Sequence, residues 1–101
     1  METHSFVVLT LHSPKEKIWG EMVALNSAGI TIRGVDLNIF DELLRQAIHG
    51  EGGVGLSTVF YPMYRVERMM MDEGSPDVPS LSDRFARRLG VTVQEYFRVE
   101  P

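Results

Sequence analysis

The sequence predicts an α+β domain: a small, strongly bent, five-stranded antiparallel barrel or half-barrel with one inserted helix and two short C-terminal helices. Three observations carry this reading. Apolar runs between residues 6 and 35 follow one another across short turns, as in an antiparallel meander. The stretch 39–48 then repeats its apolar residues at helical spacing. Beyond it, Val59-Phe60-Tyr61-Pro62 and the segment Tyr64 to Met71 read as strand, tight turn and strand, completing a sheet.

Taken in order, Phe6-Val7-Val8-Leu9-Thr10-Leu11 is almost continuously apolar, so a strand covered on both faces is expected. His12 to Glu16 supplies turn residues. Lys17 to Leu25 is the second strand. Simple alternation puts Trp19, Glu21, Val23 and Leu25 on one face and Ile18, Gly20 and Met22 on the other. A mid-strand glycine weakens packing unless a bend, bulge or close backbone approach requires it, and a sharply bent strand in a small barrel does. Asn26 to Gly29 forms the next turn, and Ile30 to Val35 the third strand.

The inserted helix is predicted over 38–49, with Ile39, Phe40, Leu43, Leu44, Ala47 and Ile48 on one face. Asp36 or Asn38 caps its start, Asp41 and Glu42 suit its first turn, and Gly50 follows its end. In the final strand, alternation makes Tyr64, Val66, Arg68 and Met70 the core-facing set. Met69, Met70 and Met71 cannot all face one core, so at least one meets another element or another subunit. With Met63 they form a soft apolar set suited to an adaptable interface. Residues 72–79 read as a linker. Ser80 or Ser82 caps the first C-terminal helix, and Thr92 with Glu95 forms a capping box for the second.

Length and charge narrow the function classes. A chain of 101 residues has room for one domain with one modest core. A net charge of −4 argues against a broad nucleic-acid footprint. The absence of cysteine rules out thiolate chemistry and fits a cytoplasmic location. No apolar run has the length of a membrane span, and the first residues lack the features of a signal peptide, so no membrane partner is expected.

Gly50-Glu51-Gly52-Gly53-Val54-Gly55 matches a dinucleotide fingerprint in letters only. Such a motif follows a strand and opens a helix, whereas this one follows a helix and opens a strand. His4, His12 and His49 lie at no metal-ligand spacing and read as solvated. Arg84, Arg87 and Arg88, with Arg98 beyond, read first as a solvated helix face pairing with Asp83, Glu95 or Glu67; the alternative is contact with phosphate or a stacked base beside Tyr64, Tyr96 or Phe97. No catalytic residue, cofactor site or metal site is assigned, and no enzyme activity is expected.

The first seventy residues resemble the Sm-like family, including its Hfq-type members. The matching parts are Phe6–Leu11, the turn Ser13-Pro14-Lys15-Glu16, Gly20-x-Met22-x-x-Leu25-Asn26, Ile30-x-Ile32, and Val59-Phe60-Tyr61 before a short turn and Val66. The same pattern is shared with SH3-like barrels. The Sm-like resemblance implies five bent strands, a one-turn connection between the last two, and edge strands that pair between subunits into rings. It also implies RNA contacts, for which Asn26, Tyr61, Arg65 and Arg68 are the candidates. The family's usual contact residues are replaced, with Ile30 at the Asn position and Pro62-Met63 near the Arg-Gly position. The leading expectation is a non-catalytic interaction module that self-associates or binds a protein partner. The second is an RNA-binding ring protein of post-transcriptional regulation.

Overall fold

The computed structural model describes residues 2–50 and 55–97; the glycine-rich run from Glu51 to Val54, and Arg98, lie outside them. The five strands are β1 (Phe6–Leu11), β2 (Glu16–Asn26), β3 (Gly29–Asp36), β4 (Ser57–Pro62) and β5 (Val66–Met71). A 3-10 turn at Leu37–Ile39 leads into α1 (Phe40–Ile48), and a second at Met63–Arg65 joins β4 to β5. Two helices follow, α2 (Leu81–Leu89) and α3 (Val93–Tyr96). All strand pairs are antiparallel, in the order β4-β3-β2-β1-β5. The predicted α+β class, with five antiparallel strands, an inserted helix and two C-terminal helices, is what the chain forms.

The connectivity forces the sheet to curl. Pro62 pairs beside Gly29, next to the end of β2, whereas Val66 pairs beside Leu11, next to its beginning. In a flat sheet these points would stand more than about 30 Å apart. The chain from Pro62 to Val66 spans at most about 14 Å. Gly20, midway along β2, permits the bend. A Cβ on Gly20 would stand 2.3 Å from the Arg33 carbonyl oxygen and 2.4 Å from the Gly34 Cα. Gly20 and Gly34 face each other in the ladder, so two backbones approach where neither carries a side chain.

Each face of the curled sheet has its own core. On one face Phe6, Trp19 and Val35 meet Phe40, Leu43 and Leu44 of α1 and Phe85 of α2. Trp19 is fully buried, with the Phe6 and Phe40 rings each 5.0 Å away. On the other face Val7, Leu9, Leu11, Ile18, Ile30 and Ile32 are buried without any helical residue among them. Tyr61 from β4 and Val66 and Met69 from β5 pack against this second cluster, so both outermost strands contribute to it. Among the described residues β4 pairs only with β3 and β5 only with β1, so the sheet is open between them.

Two register shifts correct the alternation expected from sequence. One falls between Met22 and Ala24, and beyond it Leu25 pairs with Ile30 rather than continuing the Trp19 face. The other lies opposite Thr10 and Leu11, and it places both Val66 and Met69 toward the second core. Arg68 and Met70, expected on the core face, are exposed.

Caps and ion pairs differ in detail from expectation. Asp36 accepts from the Asn38 amide and so caps the 3-10 turn, while Ile39 at the start of α1 makes no side-chain cap. Ser80 and Asp83 form a reciprocal capping box on α2, and Thr92 accepts from the Glu95 amide on α3. Arg84 pairs with Asp41 of α1 at 2.8 Å instead of with Asp83, Glu95 or Glu67.

His4 is not a solvated histidine. Its Nδ1 meets the carboxylate of Glu21, which is only 3% exposed, and Arg33 stands 3.7 Å from the other oxygen. Without His4 the buried carboxylate keeps, among the described residues, only the longer ion pair. His4→Ala is expected to lower stability by about 1–2 kcal/mol. Urea unfolding checks this; an unchanged midpoint would mean that the contact contributes nothing.

Candidate interaction surface

The site is built from the two unpaired edges and the turn joining them. β4 reads Ser57-Thr58-Val59-Phe60-Tyr61-Pro62, six residues with no charge and with β-favouring residues at its centre. Edge strands usually carry charge, early proline or a bulge to prevent pairing with another chain. Pro62 closes the strand, but residues 57–61 carry none of these. Val59 and Phe60 are exposed at 39% and 51%. The Phe60 ring also lies across Gly29, where a Cβ would come within 2.7 Å of it. Beside this edge a cleft of about 280 Å³ is lined by Ile18, Ile32, Val59 and Tyr61, with Glu16 and Asp36 also on its wall.

β5 forms the opposite edge. Met70 and Met71 are exposed there, and Met63 and Tyr64 are exposed on the connecting turn. Met69 is half-buried against the second core, so the methionine set divides between core and surface. The two edges are equal in length, six residues each. Sequence alone pointed to the methionines but missed Val59 and Phe60, whose bulk and stiffness placed them in a packed strand. The signal for them was the uncharged run from Ser57 to Pro62.

The four candidate RNA contacts occupy different environments. Asn26 accepts from the Ala28 amide at 2.9 Å and so holds the β2–β3 turn. The Met63 amide donates to the Ala28 carbonyl, which brings that turn against the β4–β5 turn. Tyr61 is half-buried, and burial first, then the nearby Glu16 carboxylate, pushes its phenol above the ordinary range. Arg65 lies 5.8 Å from the Tyr61 ring centre. It donates to the carbonyls of His12 and Pro14 and pairs with Glu16 at 2.7 Å. Arg65 therefore clamps the β1–β2 turn to the β4–β5 turn, with these donors directed inward. Arg68 stands exposed on β5, opposite Thr10.

Among the described residues no cluster of His, Cys, Asp or Glu is arranged to hold a metal ion. No helix among them is long and apolar enough to cross a membrane. Comparison with protein-family models, curated proteins and solved structures finds no match for this chain.

Proposed function

We propose that this chain is a non-catalytic interaction module that associates with copies of itself, the β4 edge of one copy adding to the β5 edge of the next. The observation that carries this reading is the uncharged β4 edge with Val59 and Phe60 exposed. Pairing would satisfy the unpaired backbone groups of both edges and cover Phe60, Met70 and Met71 together. Two different edges meeting make a heterologous contact, which propagates and closes into a ring when the rotation allows. In this reading the curled sheet is a small barrel of the Sm-like kind. The strand order and the one-turn connection at Met63–Arg65 support it.

A charge on either edge tests the pairing. Phe60→Lys blocks β4 and Met70→Lys blocks β5, and each variant alone is expected to be monomeric in sedimentation velocity. Their mixture is expected to form a heterodimer and stop there, because each variant keeps one usable edge. If each variant associates as the native chain does, or the mixture forms nothing, the β4–β5 contact is wrong. Thermal melts of both variants confirm folding.

RNA binding by such a ring is the second reading. It is supported by the junction of the Asn26 turn with the β4–β5 turn, around which Asn26, Tyr61 and Arg65 are gathered. Salt separates the two readings. Backbone-driven RNA binding weakens steeply as salt rises, whereas association through apolar edges does not.

A further inference from the structure

A groove of about 260 Å³ lies between α1 and α2 and shares no residue with the sheet edges. Asp41, Arg45 and His49 line it from α1, and Arg84 and Arg88 from α2; Leu44 and Ile48 supply apolar wall. Two of the guanidinium groups are fixed before any ligand arrives. Arg84 donates one of its five N–H groups to Asp41 at 2.8 Å, and its charge lies 5.3 Å from the Phe40 ring centre. Arg45 donates to Glu42 at 2.6 and 3.0 Å. Hydrogen bonds from Arg45 and then Gln46 hold the Glu42 carboxyl down at about 2, so that pair persists at any ordinary pH.

Arg88 differs from both. It lines the same groove, stands one turn beyond Arg84, and is exposed, with no hydrogen bond or ion pair among the described residues. Asp41 and Glu42 offset the charges of Arg84 and Arg45, which leaves Arg88 uncompensated among the described residues. Its position in the last turn of α2 also suits the helix dipole, but that effect provides no partner for its N–H donors.

We propose that this groove is an oxyanion site that takes a pyrophosphate-bearing small ligand, with Arg84 and Arg88 as the two donors. Guanidinium groups bind phosphate oxygens in pairs of parallel hydrogen bonds. Residues one turn apart on a helix are displaced by about 6 Å along it, so two linked phosphoryl groups give each guanidinium its own phosphate oxygens. Leu44 and Ile48 then face the uncharged part of the ligand.

The test is calorimetric titration of the full chain with inorganic pyrophosphate and with orthophosphate, at low ionic strength. Saturable pyrophosphate binding is expected, at least tenfold tighter than orthophosphate. Arg88→Ala is expected to weaken it about tenfold, a difference of about 1.4 kcal/mol. Arg87→Ala, on the same helix but outside the groove lining, is expected to leave it unchanged. The assignment is overturned by absence of saturation, by equal binding of the two anions, or by equal losses in both variants. Far-UV circular dichroism confirms that α2 remains folded in Arg88→Ala.

Discussion

Replacing Asp72 with alanine is expected to remove about 3–5 kcal/mol of stability, a large share of the roughly 5–15 kcal/mol typical of a domain. Its carboxylate accepts four hydrogen bonds. Trp19 Nε1 donates at 2.9 Å, the Leu81 and Ser82 amides at 2.9 and 2.8 Å, and the Ser82 hydroxyl at 2.6 Å. The tryptophan is buried, so removal of the carboxylate takes away the acceptor of a buried N–H. The two amides open α2, where a negative charge also suits the helix dipole. Loss of Asp72 therefore strikes the β2 core and the α2 start together. Asp72→Asn keeps the shape but replaces one acceptor oxygen with a donor, and it is expected to recover only part of the loss. Chemical unfolding of the three chains measures this. A loss under 1 kcal/mol for Asp72→Ala would mean that water replaces the carboxylate without cost.

The second large effect is expected at Gly20. Gly20→Ala places a methyl group 2.3 Å from the Arg33 carbonyl oxygen and 2.4 Å from the Gly34 Cα, inside the contact distance of backbone that cannot swing aside. β2 and β3 must separate at the point where β2 bends. A loss of about 3 kcal/mol is expected, at the upper end of what overpacking costs. Gly55→Ala is the control, because a Cβ there meets no described residue within 4 Å and φ lies outside the left-handed region. Melting temperatures compare the two. Equal melting temperatures would show that the ladder accommodates the methyl group.

Most of the secondary structure could be read from the sequence because each element follows a local rule. The continuous apolar run Phe6–Leu11 lies between two cores, and the helical spacing of Phe40, Leu43, Leu44 and Ala47 gives the buried face of α1. Alternation failed where a register shift intervened, as at Leu25 and at Val66 with Met69. A bulge adds one residue to one strand and leaves no local mark in composition. Asp72 read as the first residue of a linker because its tryptophan partner lies 53 positions away. Pairings of that kind depend on the tertiary fold. The same holds for His4 with Glu21, 17 positions apart, and for Arg84 with Asp41, 43 apart. The interaction surface was half legible. Surplus methionines pointed to β5, but the exposure of Val59 and Phe60 follows only from the position of β4 at the end of the strand order.

Absolute mass in solution, measured by light scattering over a wide range of protein concentration, tests the central claim most directly. Pairing of β4 with β5 between copies predicts a mass that is a multiple of 11.4 kDa. It also predicts that this mass persists at high salt, because the edges meet through apolar side chains and backbone hydrogen bonds. A mass of 11.4 kDa at every concentration would contradict it and leave both edges without the partner proposed for them.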